Sequence, residues 1–212
     1  MLTVHHLEAS QSDRIVWLCE ELAIPYELKR YDRDADTRMA PAAYKKLHSF
    51  GTAPVITDGD LVLSESGAII EYIIQKYGHG RLSVSPDSPE YADYLHWFHF
   101  ANGSFMPAWM IEMFINLMGG SDHAIAKAFG ERLAKSFAMA EDRLGQGSYF
   151  AGETFTAADI IMLFPLTTMR MFAPMDMGPF PHIRAYLQRI SERPAYQRAV
   201  NKADPEMPPV TQ

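Results

Sequence analysis

Up to about Gly80 the chain alternates short β-type runs with helical ones, and this alternation constrains the fold more than any single motif. The runs are "LTVHHL", "SDRIVWLCEELA", "YELKRY", "PAAYKKLH", "PVIT", "LVLS" and "SESGAIIEYIIQKYG". They read as β-α-β-α-β-β-α. A strand, a helix and a second strand imply a right-handed crossover between parallel strands, whereas "TDGD" is a tight hairpin signal that adds an antiparallel strand. From Pro86 onward no strand alternation follows, only long helical periods, with "GHGRLSVSPDSP" as the linker. The expectation is a mixed α/β domain over residues 1–79, a linker over 80–87 and an all-helical domain over 88–212.

The first of these has the outline of a thioredoxin-like domain. With 212 residues there is room for one large domain or two modest ones with real cores. A formal charge of -7 argues against a nucleic-acid duplex or an anionic membrane as the main partner, so the ligand is expected to be small. No apolar run approaches the roughly 18 residues that cross a bilayer. The start "MLTVHHLEAS" has neither the basic residues nor the cleavage site of a signal peptide, and the protein reads as cytoplasmic. The single cysteine, Cys19 in "IVWLCEEL", falls at helical spacing that favours burial and reads as core filler.

In the helical part, Ile125, Phe129, Leu133, Phe137, Ala140 and Leu144 form one apolar stripe. "TAAD" opens a later helix as a capping box in which Thr156 and Asp159 bond each other's amides. Asp159 is therefore structural and not a catalytic acid.

A binding surface is suggested by "GTAPVITDGDLVLSESGAII". Pro54 cannot donate to a ladder, so it predicts an exposed edge and a cis peptide bond, with Ala53 and Val55 offering backbone groups to an extended peptide. At the following helix start, free amides and the Ser66 hydroxyl favour a carboxylate, and Glu65 suits an ammonium. Together they describe a site for the zwitterionic end of a short peptide. Ser64 and Ser66 are also ordinary helix caps.

The other end of such a ligand should lie over the first βα turn, "EASQSDR", where thioredoxin-like proteins carry a reactive cysteine pair and this chain carries hydroxyls. The thiol must then come from the ligand. Ser10 directly follows the first strand and can donate to a thiolate. A hydrogen bond to a charged group contributes about 1.5 to 3 kcal/mol, which lowers a thiol pKa of about 8.5 by roughly one to two. Ser12 is the alternative, although its place fits the N-cap of the first helix, ahead of Asp13.

Taken with "HHLEASQSDRIVWLCEEL", "GTAPVI", "LSESGAIIEYI", "FAGETFTAADI" and "FPHIRAYLQRISERPAYQRAV", the chain resembles the cytosolic glutathione transferases, nearest the serine-type bacterial and fungal members. The resemblance implies an N-terminal thioredoxin-like glutathione site, a helical domain supplying the electrophile pocket, and a homodimer. It maps the catalytic hydroxyl to Ser10, the cis-proline to Pro54, the backbone partner to Ala53 or Val55, and the γ-glutamyl binders to Glu65 and Ser66. Many relatives carry a lysine where this chain has Thr52, and an "NP" pair where it has His48 and Ser49. Arg38 or His48 would then supply donors to the glycyl carboxylate, although each equally suits a solvated charge or a cap.

Trp97, Phe98, Phe100, Phe105, Met106, Trp109, Met110, Met113 and Phe114 exceed a single buried stripe. A subset is expected to line an adaptable apolar pocket: Phe105, Met106 and Trp109, near a bend at Pro107, with Met169 and Phe172 opposite. His5 and His6 point to opposite faces of the first strand, which suits structural or solvent roles. His96 and His99 share a helical face, but no carboxylate or cysteine nearby completes a set, so no metal is expected. The function expected is conjugation of glutathione, as co-substrate, to small apolar electrophiles in detoxification. The alternatives are a glutathione-dependent peroxidase at the same site, or a sensor or interaction protein that binds without catalysis.

Overall fold

A computed structural model describes residues 1–120 and 122–207. It divides into two compact units, one formed by Met1–Ser83 with the described residues from Ile190 onward, the other by Val84–Arg189.

In the first unit, the elements are β1 (Leu2–Leu7), α1 (Asp13–Leu22), β2 (Glu27–Tyr31), α2 (Ala42–Lys45), β3 (Val55–Asp58), β4 (Leu61–Ser64) and α3 (Ser66–Lys76). The sheet order is β2-β1-β3-β4, with β1 parallel to β2 and antiparallel to β3, and β3 antiparallel to β4. Gly59 turns the β3–β4 hairpin at φ +60°, a conformation that a residue without Cβ adopts freely. β1 is interior, and Leu2, Val4, His5, His6 and Leu7 are all buried, so it lacks the alternation of a half-exposed strand.

The expectation that Pro54 marks a sheet edge is corrected. β3 lies between β1 and β4, and the edges are β2 and β4. Pro54 is tolerated because it precedes the first ladder residue, Val55, where no donor is required.

Residues from Ile190 onward also depart from the expected division, which assigned everything after 88 to the helical domain. Helix α10 (Pro194–Ala203) lies against α1. Arg193 bonds Glu21 through two nitrogens at 2.7 Å each, Arg198 reaches Glu20 at 2.9 Å, and Tyr196 stands edge-on to Trp17 at 5.1 Å between ring centres. The Arg193 and Arg198 guanidinium groups thus have partners 172 and 178 residues earlier. Cys19 is buried, and burial pushes its thiol well above the usual range, which removes it from thiol chemistry at neutral pH.

In the second unit, α4 (Tyr91–Phe100) passes through a π-helical turn, Ala101–Phe105, into α5 (Met106–Leu117). The expected bend at Pro107 takes this form because proline lacks the N–H that would continue the α ladder and its ring crowds the preceding turn. There follow α6 (Ala124–Leu144), α7 (Ala157–Leu166), α8 (Met169–Phe172) and α9 (Pro181–Ser191). The α6 stripe is covered from Leu133 to Leu144, but Ile125 is exposed and Ala126 is buried in its place. The capping box forms: the Thr156 amide donates to Asp159 at 2.9 Å and the Thr156 hydroxyl accepts from the α7 amides. Asp159 also accepts from the Phe150 amide at 3.0 Å, which ties the preceding loop to the helix start.

Candidate active site

The turn after β1 is fixed by its backbone. Ala9 takes φ +47°, and the Arg33 side chain donates to the carbonyls of Glu8 at 2.8 Å and Ala9 at 3.2 Å. The Arg33 amide also donates to the Glu8 carboxylate, and this bond is the main reason that carboxyl lies below its ordinary range. Ser10 and Ser12 follow, both buried, with hydroxyl oxygens 2.7 Å apart. Ser12 occupies the N-cap position of α1 but its side chain makes no cap bond. Its hydroxyl instead accepts from the Leu7 amide at 3.1 Å and lies 2.9 Å from His6 Nδ1. The expected capping role fails because a buried histidine on β1 competes for that hydroxyl.

The α3 start joins this turn through Arg14. Its guanidinium donates to Gln11 at 2.5 Å and to the Ser66 hydroxyl at 3.4 Å, so the first turn and the α3 N-terminus share one cation. Arg14 is fully buried, and burial draws its pKa down to about 10, which still leaves it charged at neutral pH. Glu65, exposed and at φ +73°, stands at the N-cap of α3, and Ser66 is buried in its first turn. The helix is 11 residues long, long enough for its first amides to present a positive end.

The Ala53–Pro54 peptide bond is cis. Of the two flanking residues, Val55 is buried in a cluster with Leu7 and Tyr44, and its amide is engaged by the Tyr44 hydroxyl. Ala53 lies outside the ladder. His48 Nε2 is 3.3 Å from the Ser64 hydroxyl, immediately before Glu65, whereas Arg38 pairs with Glu8 at 3.1 Å beside the first turn. In the first unit Arg14 thus links Gln11 of the first turn to Ser66 at the α3 start; Ser10 and Ser12 bond each other in that turn, Glu65 directly precedes Ser66, His48 lies next to the α3 start and Arg38 is held at the Glu8 side.

Phe105, Met106 and Trp109, expected to line a pocket, are buried. Phe105 and Trp109 pack on each other and on Phe137, at 5.0 to 6.0 Å between ring centres. Met169 is buried as well, while Phe172 is 45% exposed. Among the described residues no group of three or more His, Cys, Asp or Glu is arranged to hold a metal ion.

Sequence reading missed Gln11, Arg14, Arg33, His6 as a bonding partner, and Asp204. One signal was available for His6: a strand flanked on both sides must find a partner for any polar side chain it buries. Asp204 lies 198 residues from His6 and carried no local signal.

A four-stranded sheet of this order, with a helical unit inserted before the last helix, defines a thioredoxin-like fold whose first βα turn carries serine hydroxyls. The family descriptions "Glutathione S-transferase, N-terminal domain" and "Glutathione S-transferase, C-terminal domain" match residues 10–76 and 105–194. The chain is 35% identical to glutathione S-transferase 3 of Schizosaccharomyces pombe over 217 aligned positions, covering 96% of this chain and 88% of that protein. A crystal structure of a glutathione S-transferase from Actinobacillus pleuropneumoniae matches at 34% identity and a TM-score of 0.88, covering 96% and 93%. The theta-class glutathione S-transferase of Xanthomonas axonopodis, solved with glutathione bound, matches at 28% identity and a TM-score of 0.70, covering 94% and 96%. The chain belongs to the glutathione S-transferase family, and its activity is that class of transfer.

Proposed function

We propose that this protein conjugates the thiolate of glutathione to small apolar electrophiles, with Ser10 as the hydroxyl that holds the sulfur ionised. The observation that carries the reading is the Ser10 hydroxyl in the turn between β1 and α1, 2.7 Å from a second buried hydroxyl that can share its proton. A donor held in that position stabilises negative charge on sulfur without reorganising when the charge forms. The γ-glutamyl end would lie at the α3 start, with its carboxylate on Ser66 and the helix amides and its ammonium on Glu65. Pro54 and the Ala53 backbone would align the cysteinyl part, with Val55 contributing its packing. The glycyl carboxylate would take His48 or Arg38 in place of the cation missing at Thr52.

Phe105, Met106 and Trp109 would shape the electrophile site as its packed backing, and half-exposed side chains of the same unit, Phe172 among them, would touch the electrophile. We extend the reading to a cytoplasmic homodimer with a detoxifying role, as the sequence resemblance implies; light scattering after gel filtration tests the dimer. For the chemistry, the test is ultraviolet absorbance of the thiolate as glutathione is titrated into wild type and Ser10→Ala near neutral pH. Thiolate in the wild type that is lost in the variant, with glutathione still bound, is the expected result; equal thiolate in both overturns the assignment.

A further inference from the structure

The two serines continue into the protein. Ser12 Oγ lies 2.9 Å from His6 Nδ1, and His6 Nε2 lies 3.0 Å from Asp204 Oδ2. Asp204 also accepts from the Ala9 amide at 3.4 Å, one residue before Ser10. His6 and Ser12 are 0% exposed, so the chain Ser10–Ser12–His6–Asp204 runs through the interior of the first unit and meets solvent only at its two ends.

The Ser12 hydroxyl also has the Leu7 carbonyl within 3.4 Å, a longer approach than its contacts to Ser10 and His6; with hydrogens kept along the chain, the donor arithmetic has two solutions. With neutral His6, the Asp204 carboxylate can only accept, so Nε2 carries the hydrogen and Nδ1 accepts from Ser12. Ser12 has then spent its hydrogen and must accept the Ser10 hydroxyl, leaving Ser10 with a free lone pair toward a ligand. With His6 protonated, Nδ1 donates to Ser12, Ser12 donates to Ser10, and the Ser10 hydrogen is turned outward to a ligand. Ser12 accepts from the Leu7 amide in both states and fulfils its capacity in both. The first state suits a thiol S–H, which needs an acceptor, and the second suits a thiolate, which needs a donor.

We infer that His6, backed by Asp204, is the internal proton acceptor for the bound thiol, acting through Ser12 and Ser10. This rests on the assignment of Ser10 above and deepens it. As the S–H bond breaks, Ser10 Oγ takes the thiol proton. The Ser10 hydrogen passes to Ser12 Oγ, and the Ser12 hydrogen to His6 Nδ1. One N–H bond replaces one S–H bond, no electrons leave the system, and the charges formed are a thiolate and an imidazolium beside the Asp204 carboxylate. His6 and Asp204 touch no ligand and are positioning residues. The charged groups near them are Glu8 and Arg33, whose carboxylate and guanidinium feel the Asp204 charge, and the exposed Arg30, which stands opposite His6 in the β1–β2 register.

The test sets thiolate absorbance against protons delivered to the buffer, counted by calorimetry of glutathione binding in buffers of different ionisation enthalpy near neutral pH. Wild type is expected to form more thiolate than the protons it releases, the balance being held on His6. His6→Gln and Ser12→Ala are expected to raise the apparent thiol pKa, cutting thiolate at neutral pH about tenfold, with the remaining thiolate matched one to one by released protons. Ser12→Ala leaves the His6–Asp204 bond in place, so it decides the matter if His6→Gln folds poorly. One proton released per thiolate in wild type, or unchanged thiolate in the folded variants, overturns the relay. If Ser10→Ala alone abolishes the thiolate, Ser10 stands and the relay falls; if Ser10→Ala keeps it in full, both fall.

Discussion

Arg193 and Glu21 are joined by two bonds of 2.7 Å each, from Nε and a terminal guanidinium nitrogen to the two carboxylate oxygens. This fork fixes the start of α10 on α1, and Glu21 also accepts from the Trp17 indole at 2.9 Å. Glu21→Ala removes three charge-assisted bonds from a carboxylate that is only 8% exposed. It should destabilise the protein by about 2 kcal/mol. Lys at position 193 should restore less than Arg, because an ammonium cannot form the fork. Urea unfolding of the variants measures both, and equal midpoints for Arg193→Lys and wild type would contradict the argument.

Ser10→Ala should lower kcat/KM for conjugation about ten- to a hundredfold at neutral pH, since losing one charge-assisted bond raises the thiol pKa by roughly one to two. The deficit should shrink as pH rises, because the thiol then ionises unaided. Rates measured across pH with a chromogenic electrophile check this. A deficit constant with pH would mean that Ser10 does not act on ionisation.

Glu65→Gln should weaken glutathione binding by about tenfold or more while changing kcat little, because the γ-glutamyl ammonium is held equally in ground and transition states. A glutathione analogue lacking the amino group should bind both proteins alike. If the analogue separates wild type from Glu65→Gln as glutathione does, the carboxylate is not the ammonium partner.

Asp159 is fully buried, and burial outweighs the hydrogen bonds from Phe150 and Thr156 to raise its pKa from 3.8 to about 6. The folded protein then holds this proton more tightly than the unfolded chain does, so its contribution to stability is present at low pH and is lost as pH rises through about 6. Relative to Asp159→Asn, wild type should gain on the order of 2 kcal/mol between neutral pH and pH about 4. At neutral pH the variant should still be about 1 to 3 kcal/mol less stable, since an amide nitrogen replaces one acceptor. Denaturant midpoints measured across pH test both signs.

Features set by local periodicity and turn chemistry were legible without coordinates. The β-α-β-α-β-β-α order, the "TDGD" hairpin and the Thr156–Asp159 box each depend on residues within a few positions of one another, so the sequence by itself determined them. The serines of the first βα turn were equally plain in the sequence, and the structure places their hydroxyls 2.7 Å apart. Tertiary structure alone decided that β3 is interior, because a strand's place depends on the strands beside it and not on its own residues. The packing of Phe105 and Trp109 around Phe137 was settled in the same way, an aromatic residue reading alike in a core and in a pocket. The return of α10 to α1, which carries Asp204 to His6, is the furthest from sequence. Its partners lie nearly a whole chain apart, and only a tertiary contact between the two ends brings a carboxylate to the histidine behind Ser12.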